Sequence, residues 1–410
     1  MRPPFHLSFV CRAACLAMLS ASLLASAEGL AEGLIDIKPY VAATATYNDN
    51  LFRVSGADEA RTVLGTDVMS DTTRRIEAGI DVDWKISRQH LLLGLNLNRS
   101  QFNRFNFLDN NGNSKKLAWD WTIGSHLGGE VSASESKSLS GFTEINNPAR
   151  NERTSKKNLI GVNWDLHPRW RLHAQRDESE YENSLAIYRS SDRKDVAHET
   201  AAQYATPAGN LISLSARETT SEYLARDAFS TFVFGNGNLQ LDQALNFTWQ
   251  LDGKTRVNGR FARTERKYEE LSQRNVKTWA GRLGADWQPT GKTTLSVSAV
   301  RDIYAVDDIA ATYVRSDALS FSPAWAATAK LKIQARASYE KRSYQGDPGY
   351  LLGALPQRED KLESADLTVS YALDEKVQTQ MTWQKESRDS STPSGGYRAR
   401  SLSASVRIEL

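Results

Sequence analysis

Residues 283–301 alternate apolar and polar side chains up to Trp287, turn on Pro289-Thr290-Gly291, and alternate again to Arg301. Period 2 on both arms with turn residues between them predicts a β-hairpin. The same unit recurs along the chain. Ile76, Ala78, Ile80, Val82 and Trp84 share a face, and Leu91, Leu93, Leu95 and Leu97 share the returning one. Eight such hairpins span about residues 74–385. Their pre-turn anchors are Trp84, Trp121, Trp164, Tyr204, Trp249, Trp287, Trp325 and Tyr371, recurring about every 40 residues. Helical repeats would show a 3.6-residue period. Propeller blades would need four short strands per period, where each unit here holds two long strands, one tight turn and one long polar connection.

An alternating segment at 35–47 precedes the hairpins and another at 401–410 follows them. One strand, sixteen hairpin strands and a closing strand make eighteen. Every strand is about ten residues long, with an apolar stripe on one side and Ser, Thr, Asn, Gln or charge on the other. A soluble sandwich could share that pattern. Long strands, the asymmetry of short turns against long connections, and aromatics at strand ends favour an all-β, antiparallel up-and-down transmembrane barrel of the bacterial outer membrane. In lipid every strand edge must be paired, so such a sheet closes on itself. An even strand count puts both termini on the periplasmic side, with short periplasmic turns and longer extracellular loops. The returning strands end near Phe105, Phe142, Tyr181, Tyr223, Tyr268, Tyr304 and Tyr344. Residues 294–304 would cover about 28 Å of barrel height at roughly 3.3 Å per residue and a tilt of about 40°. The anchors and these distal aromatics are therefore expected to form two interfacial belts.

Composition sets further bounds. The chain has 410 residues, with 51 Lys and Arg against 49 Asp and Glu; that balance offers nothing to nucleic acid. Residues 1–27 read as a signal peptide, with Arg2, an apolar stretch best from Ala13 to Leu24, and Ala25-Ser26-Ala27 as a cleavage site. Export by the Sec route is expected, leaving residues 28–410 as a single barrel. Both cysteines, Cys11 and Cys15, fall in the leader, so the mature chain relies on a large fold and not on disulfides.

No catalytic constellation emerges, and the chain is expected not to be an enzyme. His90, His126, His167, His173 and His198 lack partners at zinc-ligand spacing. Gly235-Asn236-Gly237-Asn238 reads as a turn, and Asp302, Asp307 and Asp308 fit no calcium loop. Catalytic, cofactor and metal residues are therefore expected to be none. By parity with the apolar stripe, Asp81, Asp83, Glu130, Arg171, Arg256, Arg260, Arg282, Asp286, Lys332, Arg336, Arg407 and Glu409 point into the barrel. Such charges either line a water-filled channel or pair across strands and stiffen the wall. Phe102-Asn103-Arg104-Phe105-Asn106-Phe107 either continues an interfacial belt into a loop or stacks on sugar rings.

The run Lys38-Pro39-Tyr40-Val41 followed by Tyr47-Asn48-Asp49-Asn50-Leu51-Phe52-Arg53 is the most specific stretch. It resembles the N-terminal motif of the exosortase/PEP-CTERM-associated exopolysaccharide biosynthesis outer-membrane protein family (EpsL-type). From the residues alone, Asn48-Asp49-Asn50 reads as a strand end and turn. The resemblance implies a barrel that takes part in making or exporting an extracellular polysaccharide. Its partners would be outer-membrane lipid, the polymer, and the periplasmic or inner-membrane synthesis machinery. A surface barrel that binds polysaccharide through its loops and a sugar-uptake porin are the alternatives. The closing strand also resembles the C-terminal assembly signal of outer-membrane proteins, with Leu410 where those chains usually carry an aromatic residue.

Overall fold

The structure, a computed structural model, describes residues 35–143, 148–306, 308, 310–346, 349, 357–392 and 395–410. The signal peptide and Asp307 lie outside the described residues. The strands are β1 (Ile35–Asn48), β2 (Asp71–Ile86), β3 (Gln89–Phe102), β4 (Asn110–Ile123), β5 (Leu127–Leu139) and β6 (Glu152–His167). They continue with β7 (Trp170–Asn183), β8 (Arg193–Ala205), β9 (Leu211–Tyr223), β10 (Gly237–Gln250), β11 (Thr255–Lys267) and β12 (Val276–Thr290). The last six are β13 (Thr293–Ala305), β14 (Tyr313–Ala326), β15 (Leu331–Gln345), β16 (Glu359–Ala372), β17 (Val377–Ser390) and β18 (Tyr397–Glu409). Each strand pairs antiparallel with its neighbours in sequence, and β18 pairs with β1 from Tyr40↔Glu409 to Asn48↔Ser401. The sheet is thus a closed eighteen-strand barrel with no free edge.

Two to five residues make the turns at one end, and six to twenty-two the loops at the other. The turns are built by local side chains. Asp252 Oδ1 accepts from the backbone N–H groups of Lys254 and Thr255, both at 2.7 Å. Asp374 Oδ1 does the same for Lys376 and Val377, and such Asx turns close a hairpin without help from elsewhere. Pro289 has no N–H to give to the ladder. The β12–β13 register accordingly shifts between Trp287 and Thr290, and the strands run on to a turn at residues 291–292.

The cross-strand register sorts the two faces. Trp84, Leu91 and Trp119 lie in line across β2, β3 and β4. On β4 the outward residues are Ile123 (63% exposed), Trp121, Trp119 and Leu117, and then Lys115. Every strand makes this switch from apolar to polar or charged. The switch points include Arg99 on β3, Lys115 on β4, Glu135 on β5, Arg301 on β13, Lys385 on β17 and Arg400 on β18; Lys115 is directly opposite Glu135, Arg301 opposite Asp317 and Lys385 opposite Arg400. A charge in the hydrocarbon midplane costs about 2–4 kcal/mol, so this ring marks where the apolar layer ends. Four outward positions span about 26 Å of strand, or about 20 Å of height at a tilt of roughly 40°.

That ring corrects two expectations. The apolar band beside Trp287 ends at Arg301, short of Tyr304. The distal aromatics are also not a lipid-facing belt. Tyr181, Tyr304 and Tyr344 sit on the inward parity of β7, β13 and β15, and Phe105, Tyr223, Tyr268 and Tyr344 are buried. The outward aromatics nearest the ring are Tyr47, Trp279, Tyr339 and Trp383 instead, at 39–66% exposure. Distance along a strand carried that expectation, whereas the parity of a single residue decides which side of the wall it is on.

Candidate functional site

The inner wall and the loop-covered mouth are the places where this fold can act on something. The register sets Asp81, Asp83, Glu130, Arg171, Arg256, Arg260, Arg282, Asp286, Lys332, Arg336, Arg407 and Glu409 on the face opposite the apolar stripe. They divide into two groups. Arg407 bonds Asp81 at 3.1 Å, His90 bonds Asp83 at 2.8 Å, and Arg171 bonds Asp165 at 2.6 Å. These charges stiffen the wall. Glu130, Arg256, Arg282, Lys332 and Arg336 have no ion pair within 4.0 Å among the described residues. Arg260 stands directly opposite Arg282, with only the Asn246 amide oxygen at 3.3 Å. Like charges placed opposite one another destabilise a sheet, so this pair needs water or an anion. A 440 Å³ recess beside it is lined by Arg282, Ser298, Ser320, Arg336, Ser338 and Glu340.

From β13 round to β1 the wall is mostly hydroxyl and amide. Ser298–Ser320 (2.8 Å), Ser338–Ser364 (2.7 Å), Thr368–Thr382 (3.2 Å) and Thr46–Ser403 (2.9 Å) bridge successive strands. Gln378, Gln380 and Gln384 point the same way from β17. Eighteen strands at about 4.8 Å spacing and a tilt of roughly 40° give a backbone diameter of about 36 Å for a circular section. Side chains on both walls would leave a lumen of about 25 Å.

The mouth is where Tyr47–Arg53 falls. Helix α1 (Ala57–Leu64) lies within the first long loop. Asn50 is buried; its Nδ2 donates to Val54 O (2.7 Å) and Arg398 O (2.9 Å), while its Oδ1 accepts from Val54 N–H (3.1 Å). Asp49 Oδ1 accepts from Arg400 N–H at 2.6 Å. Arg53 adopts φ +59°, and its guanidinium pairs with Glu386 on β17 and donates to Asn50 O. A left-handed backbone at a non-glycine residue is strained; these bonds hold it. The motif thereby presents Phe52, fully buried, to Phe105 (4.8 Å, edge-on), Phe142 (4.6 Å) and Phe107 (6.4 Å, stacked). Val54, Ala60, Phe102 and Leu108 complete the cluster.

Phe102 and Phe105 therefore neither stack on sugar nor face lipid. They are the seat of the first loop. The third long loop joins from the side, where Arg388 on β17 donates to Thr143 O at 3.0 Å. The loops carry a second cluster around Arg274. Its guanidinium is wholly buried and donates to Val306 O (2.7 Å), Asp308 O (3.2 Å) and Ala311 O (3.3 Å). Inward tyrosines near this end are covered by guanidinium groups, Tyr181 by Arg153 at 4.7 Å and Tyr397 by Arg388 at 5.0 Å; toward the short-turn end Arg407 covers Tyr40 at 3.5 Å. The signal for the first cluster was in the sequence as the repeated Phe of 52, 102, 105 and 107. Nothing in the sequence pointed to Glu386, Arg388 or Thr143 as partners, because they are distant in the chain and β17 comes near the first loop only across the β18–β1 seam.

Among the described residues no group of three or more His, Cys, Asp or Glu has metal-binding geometry. His173 bonds Asn163 and His126 bonds the Asp165 carbonyl. Asp308 Oδ1 accepts from Ala310 N–H at 2.7 Å.

A closed antiparallel barrel with an apolar exterior, a polar interior and loops gathered at one mouth is an outer-membrane β-barrel of porin-like architecture. The comparisons agree with that class. Residues 263–410 match the family model described as "Putative beta-barrel porin 2". The BenF-like porin of Pseudomonas fluorescens Pf-5 is similar at a TM-score of 0.51 and 10% identity, over 92% of this chain and 99% of that one. OccK2 (OpdF) of Pseudomonas aeruginosa gives 0.50 and 9% identity over 92% and 98%. The alcaligin outer-membrane receptor FauA of Bordetella pertussis gives 0.46 and 10% over 90% and 76%. At identities this low the two porins speak for the fold alone, and the FauA likeness carries no argument. No curated protein sequence matches the chain.

Proposed function

We propose that this barrel takes part in the export of an extracellular polysaccharide across the outer membrane, reached by a cleaved Sec signal. It conducts the polymer, or assists its passage, through the polar lumen without performing chemistry on it. The observation that carries the reading is the role of the Tyr47–Arg53 motif. The residues that resemble the EpsL-type family are the ones that seat the first loop on the mouth through Asn50, Phe52 and Arg53. A motif kept for a strand end alone would not need a buried Phe and an ion pair to β17. The hydroxyl and amide wall from β13 to β1 is compatible with a hydrated glycan, and the guanidinium groups of Arg260, Arg282 and Arg336 favour acidic groups on it. Periplasmic synthesis machinery would meet the short-turn end.

The test is a deletion strain assayed for secreted polysaccharide, together with conductance of purified protein in planar bilayers. Normal secretion and absent conductance together refute export. One observation favours a second reading, a surface barrel that holds the polymer. Phe229 and Phe232 on helix α2 (Ala228–Phe234) are 73% and 75% exposed at the loop end. Loss of polymer attachment, with secretion intact, in a Phe229→Ser/Phe232→Ser variant would select it. A sugar-uptake porin, in keeping with the porin-like fold, predicts slower growth of the deletion strain on oligosaccharides.

A further inference from the structure

On the lipid-facing side of β16, β17, β18, β1 and β2 the wall is recessed. Ala43, Ala45 and Ala404 form the floor, with Ile76 and the stem of Arg74 on one flank and Val369, Tyr371 and Met381 on the other, around a volume of 680 Å³. Floor and flanks are on the outward parity: Ala45 pairs with Ala404 and Met381 with Val369. Further up the same strands, three exposed cations stand where the apolar band ends. Lys385 and Arg400 are directly opposite one another, and Arg398 is the next outward residue on β18. None of the three side chains is ion-paired to a carboxylate among the described residues. The nearest carboxylate by register is Asp49, whose Oδ1 is held by the Arg400 backbone N–H at 2.6 Å. On the β4–β7 part of the collar the cations are matched: Lys115 with Glu135, Lys137 with Glu152, and Lys156 with Glu180; Lys341 and Lys361 are also directly opposed, but there Glu359 pairs Lys341 at 2.9 Å.

We propose that this face binds one phosphorylated, multiply acylated glycolipid of the outer leaflet. Its phosphate sits among Lys385, Arg398 and Arg400, and one acyl chain lies in the alanine-floored groove. Two features of the site lead to that occupant. A pair of like charges set directly opposite on a lipid-facing sheet is unfavourable unless an anion joins them. The four residues from Arg400 down to Ala404 also cover about 13 Å of strand, within reach of one fatty acyl chain hanging from a headgroup at the collar. A soluble anion would use the cations and leave the groove unfilled.

The test uses the full barrel, purified in detergent and stripped of lipid, with native mass spectrometry of added bis-phosphorylated lipid A. One tight adduct per barrel is expected. The Lys385→Gln/Arg398→Gln/Arg400→Gln variant should bind about 100-fold more weakly, at about fivefold per cation. Ala45→Leu/Ala404→Leu fills the groove with the cations intact and should also weaken binding. Lys115→Gln/Lys137→Gln, on the matched part of the collar, should bind like wild type. Retained mobility of the unheated barrel on gels confirms folding. Two controls on the unaltered protein keep the test decisive if a variant fails to assemble: dephosphorylated lipid A should bind weakly, and excess inorganic phosphate should not displace the lipid. Equal binding by the triple variant, equal binding of the dephosphorylated lipid, or displacement by free phosphate would each overturn the proposal.

Discussion

Phe52→Ala is the sharpest perturbation of the mouth. Phe52 is fully buried and touches rings from two other loops, Phe105 at 4.8 Å and Phe142 at 4.6 Å. Truncating a buried phenylalanine costs about 3–5 kcal/mol. The barrel ladder does not pass through this residue, so the loss falls on the docking of the first loop. At 1.4 kcal/mol per tenfold, about 4 kcal/mol shifts the docked-to-undocked ratio by roughly a thousandfold. Hydrogen exchange reads this directly. The Leu51 N–H, bonded to Met69 O at 2.9 Å, and the Val54 N–H, bonded to Asn50 Oδ1 at 3.1 Å, should exchange up to a thousandfold faster, while amides in β2 and β3 stay protected. Single-channel current in planar bilayers should become larger and noisier. Phe107→Ala is the control: that ring is 48% exposed, stacks on Phe52 at 6.4 Å and meets Phe105 edge-on at 6.2 Å, so it should cost less than about 1.5 kcal/mol. Wild-type protection of Leu51 and Val54 in the Phe52→Ala barrel would refute the reasoning, because another contact would then be holding the loop.

The other predictions concern the wall and the turns. Arg260→Glu/Arg282→Glu inverts the one directly opposed cation pair of the described inner wall and should move the bilayer reversal potential toward cation selectivity; an unchanged potential means that ions do not pass there. Gly79→Val should disrupt the wall near Tyr40, because a Cβ at Gly79 would lie 2.5 Å from the Tyr40 ring and 2.6 Å from the Leu95 carbonyl. The cost is about 1–3 kcal/mol, read as lower thermal stability of the folded barrel on unheated gels, and a wild-type melting point counts against the packing described. The Asp252 carboxyl is held below the usual range, chiefly by the Lys254 N–H and further by Thr255. Its folded pKa is thus lower than its unfolded one of about 3.9. The contribution to the turn is complete above that value and is lost as pH falls through the lower, folded one. The Lys254 amide resonance should titrate below pH 3.9, and Asp252→Asn should abolish that step.

The repeat, strand count, turn positions and direction of each side chain near the short-turn end were all legible in the sequence. Each depends on residues close together in the chain: alternation sets the face, Asp-Gly or Pro-Thr-Gly sets the turn, and Trp sits before it. The long-loop end was far less legible. Tyr304 and Tyr181 were misassigned to a lipid belt because they stand at the right distance along their strands but on inward positions. Phe102 and Phe105 read as a belt or a sugar platform because their partner, Phe52, sits in the first loop, on the other side of β2 and β3 along the chain. Individual charges could be sent inward by parity, yet nothing local separated Arg171, which has Asp165 within its own hairpin, from Arg282, which has Arg260 opposite.

By itself, then, the sequence determined the local geometry: two-residue alternation, tight turns and aromatic anchors are properties of neighbours on one strand or hairpin. It also determined that the barrel must close, since an apolar exterior in lipid leaves no unpaired edge free of penalty. Only the tertiary structure decided what the mouth is. The contacts of Arg53 with Glu386 and Arg388 with Thr143 join segments far apart in the chain and meet only after β18 has paired with β1. Ring closure creates those neighbours, and no pattern within one hairpin encodes them.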